Sequence, residues 1–161
     1  MADEGRARGI RPAEMEVLSS HPDPAERSRA ARELGGIGGD EAIAALVLAL
    51  RDPSKEVRAS AAGALASAGR HAVCALAAAL ADGDWVVRYR AAEALGSIRD
   101  PRSAAALLQA LGDGRDHVRY MAAKGLGRLG ERGAAGALRA VLADENPFVR
   151  RAARDALAAL E

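Results

Sequence analysis

The chain repeats itself about every 31 residues, and that period restricts its fold more than any other feature. Four segments align: RDPSKEVRASAAGALASAG, ADGDWVVRYRAAEALGSIR, GDGRDHVRYMAAKGLGRLG and ADENPFVRRAARDALAALE. A looser one, SHPDPAERSRAARELGGIG, precedes them. Arg27, Arg58, Arg88, Arg119 and Arg150 follow one another at intervals of 31, 30, 31 and 31, and Leu34, Leu65, Leu95, Leu126 and Leu157 keep the same steps. A unit this short cannot bury its own apolar face. Units must therefore stack and share one continuous core.

Each unit reads as two helices. The first type is DEAIAALVLAL, HAVCALAAAL, PRSAAALLQAL and RGAAGALRAVL, with Leu46/Leu50, Leu76/Leu80, Leu107/Leu111 and Leu138/Leu142 one turn apart on one face. Asp100-Pro101 supplies an N-cap followed by proline at the first helical position. The second type carries the Val-Arg and Ala-Leu columns, starts after a turn holding Asp52, Asp82, Asp113 or Asp144, and ends near glycine, as at Gly69 and Gly130. β-branched alternation is missing, so no strands are expected. Residues 12–20 read as a leading helix, with Met15 and Leu18 on one side, capping the first unit; residues 1–11 read as a disordered tail. Units are expected near 21–50, 51–80, 81–111, 112–142 and 143–161, in a single domain.

Half of the residues are hydrophobic but only 2% are aromatic, so the core must be built from Ala, Leu, Val and Ile. A net charge of +1 gives no general pull toward nucleic acid or membrane. The single cysteine, Cys74, excludes an internal disulfide, and its place among alanines reads as packing. The polar start MADEGRARGIRP is unlike a signal peptide, and no run of apolar residues is long enough to span a bilayer, so a cytoplasmic location is expected.

The shared pattern is Asp, four residues, Val-Arg, then Ala-Ala and Ala-Leu-Gly, and ADGDWVVRYRAAEALGSI matches it almost throughout. The chain over residues 21–161 thus resembles the HEAT-like repeats named after phycobilin lyase subunits. Pattern and resemblance together give an all-α fold, a right-handed α-solenoid of helical hairpins with about four and a half units. The resemblance implies that the Val-Arg helices line the concave side and that Asp and Arg bridge neighbouring units in a ladder. The matching residues are Asp52/Arg58, Asp82/Arg88, Asp113/Arg119 and Asp144/Arg150. The first unit departs, with His21 and Glu26 at the Asp and Val positions, and a weakened rung is expected there.

The four aromatic residues fall in corresponding parts of the repeat. At about 100° per residue, Val87, Ala91, Ala94, Leu95 and Ile98 form one sector and Trp85, Val86, Tyr89, Arg90 and Glu93 the opposite one. The next units place Asp116, His117, Tyr120, Met121 and Lys124, then Pro147, Phe148, Arg151, Ala152 and Asp155, in that open sector. A line of exposed rings marks a binding surface. The expected partner-binding set is Trp85, Tyr89, Arg90, Tyr120, Met121, Lys124, Phe148 and Arg151. Tyr89 and Tyr120 should stack side by side, whereas Trp85 and Phe148 also suit a covering role at hairpin ends. Glu93, Lys124 and Asp155 suggest a row of ion pairs between neighbours.

Catalytic groups do not converge. His21, His71 and His117 occupy different phases and none precedes glutamate, so the paired His-Glu motifs of deoxyhypusine hydroxylase, another HEAT-like protein, are missing. No catalytic residue, metal or cofactor is expected. The reading is a non-enzymatic scaffold that holds a protein segment, either as a monomer or as a homodimer. One alternative is a nucleic-acid groove using Arg29, Arg32, Arg90, Lys124, Arg128 and Arg151, opposed by Glu56, Glu93, Asp116 and Asp155. The other is a phycobilin lyase subunit or chaperone-like protein, which the family's name suggests.

Overall fold

Short polar side chains in the turns fix where three of the five long helices begin, and the helices starting at Lys55 and Asp116 have no side-chain cap. Asp23, Asp84 and Asn146 accept the backbone N–H of Ala25, Val86 and Phe148 at 2.8–2.9 Å, satisfying a donor the first turn leaves unpaired. The column aspartates Asp52, Asp82, Asp113 and Asp144 fold the preceding turn by accepting the N–H of Ser54, Asp84, Arg115 and Asn146, each at 2.8 Å.

The computed structural model describes residues 12–161; the tail expected over residues 1–11 lies outside the described residues. Among the described residues the α-helices are α1 (Pro12–Ser20), α2 (Pro24–Ile37), α3 (Asp40–Ala49), α4 (Lys55–Ser67), α5 (Val73–Ala79), α6 (Trp85–Ile98), α7 (Ala104–Ala110), α8 (Asp116–Leu129), α9 (Ala135–Val141) and α10 (Pro147–Ala158). No strand is found among them, and 3₁₀ turns lead into α5, α7 and α9. The long helices α2, α4, α6, α8 and α10 lie side by side in one layer, and α3, α5, α7 and α9 form the second. Leu34, Leu65, Leu95 and Leu126 meet Leu46, Leu76, Leu107 and Leu138 between the layers, all fully buried. Helix α1 lies against α2 and α3 and buries Leu18. The architecture is an α-solenoid.

Close approach within the long-helix layer depends on small residues. A Cβ added at Gly35 would lie 2.7 Å from the Ala64 Cβ, one at Gly96 2.7 Å from the Gly125 Cα, and one at Gly127 2.8 Å from the Ala156 Cα. The equivalent position in α4 is Ala66, which already carries a Cβ. The α4–α6 seam is accordingly the looser one.

The ladder follows the same division. Arg88 donates from Nε and a terminal nitrogen to both oxygens of Asp113 (2.6 and 3.0 Å), while its other terminal nitrogen reaches the Asp82 carbonyl (2.7 Å). Arg119 repeats this with Asp144 and the Asp113 carbonyl. Arg27 also forms a complete fork, to Asp52 at 2.7 and 2.9 Å, so the rung expected to be weak at the first unit is intact. His21 takes its place there through its backbone carbonyl, which any residue supplies. The interrupted rung is the next one. Arg58 holds the Asp52 and Pro53 carbonyls, its Nε is buried without a partner, and Asp82 instead pairs with Arg51. The α4–α5 connection is one residue shorter than its counterparts, as the 30-residue step shows, so the interrupted rung coincides with both the shorter connection and Ala66.

Burial pushes the Asp113 carboxyl up, but the Arg88 fork, the Arg115 N–H and the charges of Arg88 and Arg119 together hold it below the usual carboxylate range. For Asp144 the Arg119 fork is the strongest influence and the net direction is the same.

Gly63 is exposed in α4 with open space around its Cβ position, whereas Gly96 faces backbone. Gly63→Ala should stabilise by about 0.5–1 kcal/mol through helix propensity, and Gly96→Ala should destabilise by roughly 1–3 kcal/mol through overpacking; urea unfolding measures both. Arg88→Ala should cost about 2 kcal/mol, lowering Tm by roughly 4–8 °C, whereas Arg58→Ala should cost less than half of that because it removes an unpaired buried donor. Equal losses would count against the fork as the stabilising element. Asp113 and Asp144 have lowered folded-state pKa values, so their contribution is complete above the ordinary carboxylate value of about 4 and is lost as pH falls through the lowered values. Thermal melts from neutral to acid pH should show this loss, and Asp113→Asn should flatten it.

Candidate functional site

The open face of the long-helix layer carries the aromatic residues, but the neighbouring long helices cover more of it than a single helix wheel suggests. Each long helix is flanked by others, so residues toward the seams are buried and only a narrow strip remains. Met121 is 5% exposed and Ala152 is buried; both belong to the core and not to the open strip where they were expected. Arg90 is also removed from the surface. Its side chain is 12% exposed, pairs with Glu93 at 2.6 Å, and lies over the Tyr89 ring at 5.4 Å.

The rings differ in availability. Phe148 is 69% exposed. Tyr89 and Tyr120 are half-buried against the core and do not stack on each other; the Lys124 ammonium lies over the Tyr120 ring at 5.3 Å, as Arg90 does over Tyr89. Trp85 packs across the seam onto the His117 ring (centroids 5.4 Å apart, 51° between planes), with the Arg115 guanidinium 5.7 Å from its centre. It joins the start of α6 to the start of α8, which is the covering role. The ion-pair row expected through Glu93, Lys124 and Asp155 does not form. Glu93 pairs with Arg90, and Asp155 with Arg151 at 3.9 Å. At the other end of the array, the charge of Arg29 is answered by Glu26 and Glu33, and Ser28 is buried.

Two depressions meet at α8 and α10. One, of about 390 Å³, is walled by Tyr120, Phe148 and Val149 with Asp116, His117 and Asn146 at its rim. The other, of about 570 Å³, is lined by Arg99, Lys124, Arg128 and Arg151, with Asp155 as its one carboxylate. Tyr120 and Phe148 border both. Sequence reasoning passed over Arg99. The signal available was that arginine stands where Gly69 and Gly130 end the preceding and following long helices. It also passed over Leu48, 70% exposed on α3 beside a separate hollow against α1. Cys74, expected to pack, is exposed. Among the described residues no group of three His, Cys, Asp or Glu is arranged to hold a metal ion, and no helix is long and apolar enough to cross a membrane.

This architecture defines a helical repeat protein. A family model for HEAT repeats matches residues 12–76 and 73–158, and the chain belongs to that family. Its fold is similar to a chain in the complex of CpcE and CpcF of phycocyanin lyase from Nostoc sp., at 27% identity and TM-score 0.68 over 99% of this chain and 70% of that one. It is also similar to computationally designed armadillo repeat proteins for modular peptide recognition, at 26% identity and TM-score 0.55 over 92% and 81% of the two chains. Human deoxyhypusine hydroxylase shares the fold alone, at 22% identity and TM-score 0.57 over 92% and 73%. A search of curated protein sequences gives no match.

Burial pushes the Tyr89 phenol above the ordinary tyrosine range, with the Glu93 charge adding to it and Arg90 opposing it. In a Tyr120→Phe variant, ultraviolet titration of Tyr89 should give a midpoint above about 10, lowered again by Glu93→Gln. A midpoint at or below the ordinary value would mean that Tyr89 is fully solvated.

Proposed function

We propose that this protein is a non-enzymatic interaction module that holds a protein segment on the concave face of its long-helix layer, over α8 and α10. The observation that carries this reading is Phe148, a large ring left in solvent beside Tyr120, between two adjoining depressions. A soluble protein seldom leaves a large apolar side chain exposed beside a preformed hollow without a use for it, and aromatic anchors of this kind dominate binding energy. The binding set expected from sequence contracts to Tyr120, Lys124, Phe148 and Arg151, with Trp85, Tyr89 and Arg90 as their support. The similarity to proteins designed for peptide recognition agrees with this use of the layer.

A random peptide library displayed on phage tests the face. The wild-type protein should enrich binders, and a Tyr120→Ala/Phe148→Ala variant should lose them by at least about tenfold, equivalent to about 1.4 kcal/mol, while keeping its helical circular dichroism. Enriched peptides that bind the double variant equally well would place the interaction elsewhere.

The similarity to the phycocyanin lyase complex favours a second reading, in which the protein assists attachment of a bilin to a phycobiliprotein. Incubation with a bilin and an apo-phycobiliprotein, alone and with a second subunit, decides it; absence of a covalent adduct in both cases disposes of the idea.

A further inference from the structure

Arg99 is the only non-glycine residue with positive φ among the described residues, at φ 57° and ψ 33°. Gly69 and Gly130 hold the matching positions at φ 61° and 71°, where the absence of a Cβ makes the left-handed turn free of strain. The chain therefore accepts a strained arginine at a position that glycine fills in the units on either side. Strain of this kind gathers at functional positions. The Arg99 side chain lines the larger groove, where Lys124, Arg128 and Arg151 join it. Arg99, Lys124 and Arg128 form no ion pair among the described residues, and the one carboxylate, Asp155, already faces Arg151 at 3.9 Å with both side chains about three-quarters exposed. Elsewhere on the surface some arginines have a carboxylate partner, as Arg29, Arg51 and Arg102 do, and others, such as Arg70 and Arg139, form no ion pair among the described residues; what sets the groove apart is that four cations and a single carboxylate line one depression. The groove is thus a local concentration of uncompensated positive charge on a molecule of net charge +1.

Resting on the reading that this face holds a peptide, we infer that the segment it takes is acidic: an apolar side chain seats between Tyr120, Phe148 and Val149, and neighbouring carboxylates reach Arg99, Arg128 and Arg151. Guanidinium groups suit this task because each can hold a carboxylate through two parallel hydrogen bonds. A single-stranded nucleic acid would need successive open ring faces for its bases. Here the Tyr89 and Tyr120 faces are covered by Arg90 and Lys124, and Trp85 is packed against His117 and Arg115; Phe148 alone stands free.

Three fluorescein-labelled peptides of equal length test this, each with a central Leu-Phe pair, flanked respectively by Asp and Glu, by Ser and Gly, or by Lys and Arg; an oligothymidylate is the fourth probe. Fluorescence anisotropy should show the acidic peptide binding at least about tenfold more tightly than the neutral one, weakening as salt screens the groove, with no binding by the basic peptide. Arg99→Gly should bring the acidic peptide close to the neutral one while leaving Tm unchanged or raising it by up to about 4 °C, so that lost binding is separated from lost folding. Neutral or basic peptides binding as well as the acidic one, in a way Phe148→Ala abolishes, would overturn the acidic preference and leave the peptide-binding face standing. Binding by oligothymidylate alone, or by none of the probes, would overturn both.

Discussion

The structure depends on how closely its long helices can approach one another. Glycines at three seams let backbone meet backbone at distances no Cβ would permit. At that separation the arginine of one unit reaches the aspartate of the next with a bidentate fork and still holds the carbonyl of its own turn. The aspartate in turn ties its own loop through the N–H two residues on. One pair of side chains thus fixes the seam spacing and the turn together, and partial burial makes each of these bonds stronger than a surface pair. Where Ala66 replaces glycine, the fork gives way to the more exposed Arg51–Asp82 pair. The solenoid therefore has one seam built to a looser standard than the rest, between its second and third units.

Seam spacing also decides what the open face can offer. Flanking helices bury Met121 and Ala152 and hold Arg90 down against Tyr89 and Glu93. Trp85 is drawn into the junction with the following unit. What remains accessible is concentrated over α8 and α10, as a hydrophobic hollow beside a basic groove. The four rings are consequently not a uniform stripe. They grade from Trp85, which supports the scaffold, through the two tyrosines, each with a cation over its face, to Phe148, which stands free.

The repeat was legible in the sequence because stacking leaves the same residue type at the same step: Leu34, Leu65, Leu95 and Leu126 are buried as their column requires, and Leu157, in the last helix, is partly buried. The even layer and the turns follow from the same columns. Pairing between units was less legible. Residue identity at His21 suggested a missing rung, yet the fork needs only a carbonyl there; the interrupted rung lies one unit on, where the connection is one residue shorter and Ala66 stands in place of glycine. The site was the least legible part. A helix wheel treats a helix as standing alone, so it overstates the open sector by the width of two seams and cannot tell Met121 from Phe148.

Arg99 shows where local preference and the finished structure disagree. A left-handed helix end favours glycine, and this chain uses glycine for it in the units before and after. Selection for stability alone would be expected to place glycine here too, since a natural sequence that departs from local preference tends to do so at functional positions. The departure adds one guanidinium to a groove that already holds three cations and a single carboxylate. Added like charge destabilises the free protein further, because the cations repel one another until a partner neutralises them. Backbone strain and charge repulsion thus point the same way: both raise the free energy of the empty groove, and an acidic segment relieves the second while using the side chain that causes the first.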